Sequence, residues 1–521
     1  MASGCRPVAE GVLIRPVIFA NCRFAGSVLL SVLVVTISAC RAGPSAFERS
    51  GEGGEATGPE DTADVSTLPT IPDAPSVETL TVAEQAEPVE PPDTVQRGTL
   101  EAPDSAEPLE SQEARDSVGA PGSRGEAVEG RTPFQRPEHV RGIYLNAWAS
   151  GSSRRTAALL EIAARTEVNT FVIDIKDASG YVSHRTDVPL AHEIGATEEI
   201  RIRDLPGLLA RLDEAGIYPI ARIVIVKDPL LSAGRPDLAV QDTAGGVWVD
   251  GKGIVWLNPH DREVWDYHVA LAREVAEMGF PEIQWDYVRF PDAPRSELDR
   301  TVYPGAGDVT KAAAIRAFLE YSRDELRPLG VRVTADVFGV TTSASRDVGI
   351  GQVWESFIDV IDVALPMVYP SHYWEGSFGI DTPNAYPYEI VGGALSDAVR
   401  RSAEVEGAGT TRPWLQDFSL GEPLYGAPEV RAQMQAAYDV GIMEWILWNP
   451  SSRYTEDALE PVGGFVTEPL MRLRNELVPV TRRFEFLDSV AADSIAEVDD
   501  TVTVGAPAPD TIRWSPGGGS L

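Results

Sequence analysis

Residues 282–290 read EIQWDYVRF, a mostly apolar run whose second half carries Asp286 and Arg289. Runs that are apolar on both faces, rather than alternating with polar residues, are typical of parallel strands buried on both sides. Seven further runs of this type occur in the chain, at residues 141–148, 170–177, 218–227, 332–338, 362–369, 413–418 and 444–449. Together they predict eight parallel strands.

Segments with the apolar spacing of amphipathic helices separate these runs. They cover residues 157–165, 205–215, 261–278, 311–327, 353–360, 391–405, 428–440 and 465–477. Eight strand–helix units in roughly 340 residues predict a closed α/β barrel, the (β/α)₈ or TIM barrel, over residues 137–480. A doubly wound open sheet is the alternative, but residues 146–151 read NAWASG and lack the glycine-rich phosphate turn usual after its first strand.

The N-terminal residues have the features of an export signal. Arg15 and Arg23 precede an apolar run over residues 25–37, which is short for a bilayer span and typical of a signal-peptide core. The run ends in ISAC, and small residues before Cys40 resemble the bacterial lipoprotein box, in which the cysteine is lipidated. We therefore expect a lipoprotein-type signal peptide over residues 1–40 and an exported protein anchored by lipid at the cell envelope, periplasmic or on the cell surface. An ordinary secretory signal is the alternative.

Two acidic segments of low complexity flank the predicted barrel. Residues 41–136 are dominated by Pro, Glu, Ser, Gly, Thr and Ala, with Phe47 and Phe134 as their only aromatic residues. Such a composition buries too little apolar surface to offset the entropy of ordering, so a disordered spacer is expected rather than a small folded domain. Residues 481–521 are acidic and then rich in Gly and Pro, and are expected to form a mostly disordered tail.

Composition argues against several classes of function. The chain has 44 Lys and Arg residues against 79 Asp and Glu residues, a net charge of −35, which argues against a nucleic-acid partner. All three cysteines lie within residues 1–40, so the barrel has neither a disulfide framework nor a thiolate metal site. The histidines lack metal-ligand spacing, and no phosphate loop or serine elbow occurs, so no cofactor is expected.

Two aspartates are the main catalytic candidates. Active sites of such barrels lie at the C-terminal ends of the strands, and Asp286 and Asp336 stand near the ends of the fourth and fifth runs. Glycoside hydrolysis needs two carboxyl groups in different environments, one ionised and one protonated. Arg289 is expected to hold Asp286 ionised. A structural Asp–Arg pair for Asp286 and a structural hydrogen bond for Asp336 remain open alternatives.

Other strand ends supply candidates for substrate binding. Asp174 and Lys176 are two residues apart, so they are expected on one face of the second strand as an inward ion pair that binds sugar hydroxyls or is purely structural. Aromatic rings and amides suit the apolar faces and hydroxyls of sugars. The predicted substrate-binding residues are Tyr144, Asp174, Lys176, Arg289, Tyr369, Gln416 and Trp448.

Several of these stretches resemble a family of bacterial "putative glycoside hydrolase" barrels. They are RGIYL at 141–145, VIDIKDASG at 172–180, WDYVRFP at 285–291, PMVYP at 366–370 and WLQDF at 414–418, so that the resemblance covers about residues 137–480. It implies a relationship to the α-amylase and α-galactosidase groups, in which the carboxylate ending strand four is commonly the nucleophile, here Asp286. Many amylase-like enzymes use Glu as acid/base at the end of strand five, where this chain has the shorter Asp336. Asp417, at the end of the seventh strand, is the other candidate.

Three functions follow as hypotheses. The first is a retaining glycosidase that acts on a polysaccharide near the cell envelope. The second is a carbohydrate-binding barrel without significant catalysis, and the third is a structural envelope lipoprotein without a sugar ligand.

Overall fold

The computed structural model describes residues 134–500, with side chains through residue 492. The predicted signal peptide, Cys40, the spacer up to residue 133 and residues 501–521 lie outside the described residues. Among the described helices, none combines the length and the hydrophobicity that a membrane crossing requires.

Eight parallel strands form a closed ring. They are β1 (Arg141–Leu145), β2 (Thr170–Lys176), β3 (Tyr218–Val224), β4 (Glu282–Asp286), β5 (Arg332–Phe338), β6 (Val363–Met367), β7 (Trp414–Gln416) and β8 (Trp445–Trp448). Each strand pairs with its neighbours in sequence, and the pairing of Arg141 with Trp445 joins β1 to β8. The prediction of a (β/α)₈ barrel is therefore confirmed, and the open sheet is wrong because the ring has no free edge.

Helices follow the strands along the chain. They are α1 (Ser153–Arg165), α2 (Leu205–Glu214), α3 (Arg262–Met278), α4 (Lys311–Leu326), α5 (Trp354–Phe357), α6 (Pro387–Ser402), α7 (Ala427–Asp439) and α8 (Arg483–Asp500). Shorter helices span Ala147–Gly151, Pro189–Glu193, Pro229–Gly234 and Arg295–Leu298. The side chain of Asp261 caps α3 by accepting a hydrogen bond from the Glu263 amide, and Gly279 ends the helix with a φ of 122°. Both are ordinary helix boundaries that the sequence marks.

The core explains the apolar strand runs. All seven residues of β2 and all seven of β3 are buried, because one face of each strand fills the barrel and the other lies under the helices. The loops that follow β3 and β4 are long and pair with each other through Gln241–Asp242 and Thr301–Val302. They cover part of the C-terminal end of the barrel, where the predicted site residues lie.

The predicted helix at residues 465–477 is wrong, because this segment contains a β-hairpin. Leu470–Leu473 forms β9 and Glu476–Pro479 forms β10, joined by Arg474 and Asn475 with φ values of 49° and 60°. Met471 and Leu473 are buried whereas Leu470 is exposed, so the apolar period here is two rather than 3.6. The hairpin packs against α7.

The folded region extends beyond the predicted barrel, residues 137–480, on both sides. Phe134 packs into the core, and Arg136 lies 2.5 Å from Glu444, so the end of the predicted spacer belongs to the fold. In the predicted tail, Arg483–Asp500 is helical, and disorder is the wrong expectation for these residues. The helix is held because Phe486 packs against the core and Arg483 lies 2.7 Å from Asp439.

Candidate active site

One arginine joins three carboxylates at the C-terminal end of the barrel. Arg222 on β3 hydrogen-bonds to Asp174 on β2 and to Asp286 on β4. Its Nε lies 3.0 Å from Asp286 Oδ2 and 3.8 Å from Oδ2 of Asp336 on β5. All four side chains are buried. We call Asp174, Arg222, Asp286 and Asp336 the carboxylate cluster.

The carboxylate cluster has an unbalanced charge. With every group ionised, three carboxylates would share one guanidinium, and a buried excess of negative charge is unfavourable. Burial, followed by the charge of Asp286, raises the pKa of Asp336 well above its ordinary value. Burial also raises the pKa of Asp174 to about 6. Asp336 is therefore the carboxyl group of the cluster that best retains a proton.

Two side-chain donors, Trp414 and Gln284, fix the position of Asp336. Trp414 Nε1 donates to its Oδ1 at 2.7 Å, and Gln284 Nε2 approaches both of its oxygens, at 2.9 and 3.1 Å. Gln284 stands two residues before Asp286 on β4, so alternation places both side chains on the inner face of the barrel. The acid is thereby held next to Asp286 in one orientation.

Asp286 ends its strand at a strained residue. Tyr287 has a φ of 52°, and its amide donates to Asp286 Oδ1 at 2.5 Å. A left-handed backbone costs an aromatic residue about 1 kcal/mol or more, and such strain is concentrated at functional sites. Asp286 is 6% exposed and Asp336 2%, so Asp286 is the more accessible of the two.

An aromatic wall borders the carboxylate cluster. Tyr144 on β1 donates a hydrogen bond to Asp174, and its ring stacks on Trp448 of β8 with centroids 4.1 Å apart. The guanidinium of Arg222 lies 5.5 Å from the Tyr144 ring and 5.2 Å from the Trp448 ring. Burial, and then the charges of Asp336 and Asp286, raise the pKa of Tyr369, whose ring packs edge-on against Phe418. Tyr144, Asp174 and Trp448 thus lie at the cluster, and their role in substrate binding stays a prediction.

The predicted ion pair between Asp174 and Lys176 is wrong. Lys176 Nζ lies 2.8 Å from Asp228 Oδ2 and donates to the Val224 carbonyl at the same distance. The pairing of β2 with β3 shifts register between Asp174 and Lys176, so strict alternation of side chains fails there. Asp174 turns to Arg222, and Lys176 becomes a fully buried structural cation.

The expectation that Arg289 holds Asp286 ionised is also wrong, because Arg222 takes that place. The Arg289 guanidinium lies 4.9 Å from the ring centroids of Trp256 and Tyr287, and 4.6 Å from that of Phe338. The chain leaves β4 at Asp286, and the left-handed backbone of Tyr287 redirects the following residues. Burial lowers the pKa of Arg289.

Gln416 and Asp417 stabilise loops at the rim. Gln416 Oε1 accepts hydrogen bonds from the amide and hydroxyl of Ser371, at 3.1 and 2.9 Å. Asp417 accepts from the amide and hydroxyl of Thr455, at 2.9 and 2.6 Å, and burial raises its pKa to about 6. In residues 134–492, no hydrogen bond or ion pair links Asp417 to the carboxylate cluster.

Arg222 is the central site residue that the sequence reasoning missed. It lies within YPIARIV at 218–224, a run buried at every position. A charged side chain inside a buried parallel strand is costly unless it is paired, and this was the available indication. In the part of the chain that the structure describes, no group of three His, Cys, Asp or Glu residues is arranged to hold a metal ion.

Residues 142–454 match the family described as "Putative glycosyl hydrolase domain". The chain belongs to this family. The match spans the barrel and includes every member of the carboxylate cluster, and it confirms the resemblance seen in the sequence. Membership supports a glycosidase with a carbohydrate substrate. No curated protein matches the chain.

Several solved structures are similar to this chain. A hypothetical protein from Ruminiclostridium thermocellum is 37% identical over 37% of this chain and 97% of that one, with a TM-score of 0.34. The PgaB (BpsB) glycoside hydrolase domain from Bordetella bronchiseptica is 14% identical over 60% and 95%, with a TM-score of 0.43. The α-galactosidase from Thermus thermophilus is 16% identical over 62% and 61%, with a TM-score of 0.38.

Proposed function

We propose that this protein is a retaining glycoside hydrolase with Asp286 as nucleophile and Asp336 as general acid/base. The observation that carries the proposal is their shared contact with Arg222. Their Oδ2 atoms lie 3.0 and 3.8 Å from the same Nε, so they are no more than about 7 Å apart. Retaining enzymes hold the two carboxyl groups about 5–5.5 Å apart and inverting enzymes about 6.5–9.5 Å apart, so this upper limit favours retention.

Each residue of the cluster has a role in this reaction. Asp286, paired with Arg222, attacks the anomeric carbon while Asp336 gives its proton to the departing glycosidic oxygen. The resulting glycosyl ester is cleaved by water, whose proton returns to Asp336. Asp286 loses its charge while it carries the sugar, and Arg222 then faces Asp174 and the newly ionised Asp336. The stacked rings of Tyr144 and Trp448 offer a face for the sugar.

Replacement of Asp286 tests the nucleophile. Asp286→Asn should lower kcat/KM for glycan cleavage by about 10⁴-fold or more, because the amide is a poor nucleophile. Asp324→Asn is the matched control, since Asp324 is an exposed surface aspartate. Cleavage is measured on a broad glycan panel, and ¹H NMR follows the anomer formed first.

Each result of this experiment bears on the proposal. A product that initially keeps the anomeric configuration of the substrate supports retention, and an inverted product contradicts it. A wild-type protein that binds glycans but cleaves none of the panel is a carbohydrate-binding barrel instead. Full activity of Asp286→Asn would remove Asp286 from the mechanism.

We further propose that the enzyme acts on a polysaccharide at the cell envelope, where lipid on Cys40 anchors it. The support is the sequence ISAC at the end of an apolar run, followed by an acidic spacer before the barrel. The lipid chains would insert into the membrane surface and leave the barrel in the surrounding compartment. In cells, Cys40→Ser should move the protein from the membrane fraction to the soluble exported fraction, whereas Cys22→Ser should not. Membrane retention of Cys40→Ser would contradict the anchor.

A further inference from the structure

A small cleft lies beside the carboxylate cluster. The loops after β3 and β4 form it, and Lys227, Trp256, Tyr287 and Arg289 are among the residues that line it. Tyr287 directly follows Asp286 in the chain. Phe338, which packs on Arg289, stands two residues after Asp336. The cleft therefore lies at the same end of the barrel as the two carboxyl groups. We call it the cationic cleft.

Arg289 is buried in the cationic cleft among aromatic rings. It is 4% exposed; burial lowers its pKa, whereas the charges of Asp292, Asp286 and Asp250 raise it. It donates one hydrogen bond, to the Phe290 carbonyl at 3.2 Å, and is otherwise surrounded by the rings of Trp256, Tyr287 and Phe338. A guanidinium has five N–H donors, and buried charged groups usually have partners of opposite charge. Arg289 thus retains donors for a ligand.

A second cation lies next to the same ring. Lys227 Nζ is 5.4 Å from the centroid of Tyr287, and Lys227 is half-buried without an ion pair in the described chain. Lys227 and Arg289 therefore both lie against Tyr287. Two positive side chains beside one aromatic ring are suited to bind an anionic group.

Two acidic residues, Asp250 and Asp292, also line the cleft. Asp250 accepts hydrogen bonds from the Lys252 and Ile254 amides at 2.9 and 2.8 Å, and from Trp256 Nε1 at 3.0 Å. Asp292 and Lys252 each have a further contact partner. The lining thus holds three cations, Lys227, Lys252 and Arg289, against two acidic residues, and this positive excess contrasts with a chain that has 79 acidic and 44 basic residues.

We propose that the cationic cleft binds an anionic group, a carboxylate or a phosphate, on a sugar unit next to the bond that is cleaved. The inference rests on the proposed function and adds the substrate class, an acidic polysaccharide. Arg289 would bind the oxyanion with its free N–H groups, and Lys227 would add a second charge. The rings of Trp256 and Tyr287 would limit access of water to these contacts.

Three sugars that differ only at one carbon test the cleft. Glucose, glucuronate and glucose 6-phosphate are titrated into the full chain at fixed ionic strength, and binding is measured by calorimetry or ligand-observed NMR. At least one anionic sugar should bind about ten- to hundredfold more tightly than glucose, as expected for charge-assisted hydrogen bonds. The comparison of glucuronate with glucose 6-phosphate distinguishes a carboxylate from a phosphate.

Two variants assign the effect to the cleft. Arg289→Met and Lys227→Met should each reduce the advantage of the anionic sugar, with Arg289→Met abolishing most of it. Arg262→Met is the matched control, because the guanidinium of Arg262 also lies over a ring, that of Tyr321 at 3.3 Å, but on the outer helix α3. Because Lys227 is only half-buried, Lys227→Met gives an answer even where Arg289→Met does not fold.

The outcomes separate this inference from the proposed function. Equal binding of all three sugars, or an anionic advantage that both variants keep, overturns the cationic cleft as an anion site. Cleavage of neutral glycans without any preference for acidic ones overturns the cleft and leaves the hydrolase intact. Anion binding that depends on Arg289 and Lys227, in a protein that cleaves no glycan, supports the cleft and overturns the hydrolase.

Discussion

Arg222 decides how the charges of the active end are arranged. Among residues 134–492 it is the one cation that forms ion pairs with Asp174, Asp286 and Asp336, so it cannot neutralise all three. One of the three buried carboxyl groups therefore favours its protonated form. We assign this proton to Asp336, because burial and the charge of Asp286 both raise its pKa. This is the division between an acid and a nucleophile that glycoside hydrolysis needs.

The pH profile tests the role of Asp336. In the wild type, kcat/KM should fall as the pH rises through the pKa of Asp336, because the acid then loses the proton that the leaving oxygen requires. Asp336→Asn should lower kcat/KM by about 10²–10⁴-fold and remove this alkaline fall. Aryl glycosides with good leaving groups should lose less rate, since they need little protonation.

Asp417→Asn is the comparison for this experiment, since Asp417 is the alternative acid and is bound to Thr455. It should keep the alkaline fall and mainly lower the melting temperature, because one hydrogen bond is weakened. The assignment is reversed if Asp417→Asn removes the alkaline fall and Asp336→Asn retains it.

The barrel strands and the β9–β10 hairpin show where a local sequence pattern is sufficient to predict secondary structure and where it is not. All eight barrel strands lie inside the runs predicted from apolar continuity, because a strand buried on both faces is recognisable from its own residues. The last predicted helix became β9 and β10, since a segment with Leu, Met and Val at short intervals fits two periods. Arg474 and Asn475 at the turn were the contrary indication, because Asn accepts a left-handed backbone.

A pair of leucines tests the hairpin. Leu473 on β9 is fully buried, whereas Leu477 on β10 is 51% exposed. Leu473→Ala should lower the free energy of unfolding by about 2–5 kcal/mol through the cavity it leaves. Leu477→Ala should change it by less than about 0.5 kcal/mol. Denaturant unfolding followed by circular dichroism measures both, and similar losses for the two variants would contradict the alternation of the hairpin.

At the scale of the whole molecule, buried charges are paired differently at the two ends of the barrel. At the N-terminal end of the strands, Arg412 lies 2.6 Å from Glu282 and 3.0 Å from Glu444, and Arg136 adds a second cation to Glu444. Two cations meet two carboxylates there. In the carboxylate cluster at the C-terminal end, one cation meets three carboxylates. A balanced group of charges at the N-terminal end and an unbalanced cluster at the C-terminal end agree with a barrel whose N-terminal end provides stability and whose C-terminal end provides chemistry.

Removal of Arg412 tests this division. Arg412→Met leaves the fully buried Glu282 without its ionic partner and should lower the free energy of unfolding by about 3–5 kcal/mol. Under conditions where the variant is folded, kcat/KM should be unchanged, because the substitution lies at the opposite end of the barrel. Arg165→Met is the control, since its pair with Glu456 is exposed and worth less than about 1 kcal/mol. Urea unfolding and glycan cleavage are measured on the same preparations, and an equal loss of stability in both variants would contradict the argument.

The sequence by itself determined the barrel and the carboxylates at its active end. Apolar continuity is a local property of each strand, and the position of Asp286 and Asp336 near strand ends follows from the same runs. The family resemblance rests on the same stretches, so it too was available from the residues alone.

Only the tertiary structure decided which charges meet. The sequence places Arg289 three residues from Asp286 and Lys176 two from Asp174, yet Arg222 is the partner of both aspartates. The register shift in β2 and the left-handed Tyr287 turn the nearer cations away. Parallel pairing of consecutive strands brings β2, β3, β4 and β5 side by side. Ion pairs depend on distance in space, and distance along the chain does not report it once strands from separate segments become neighbours.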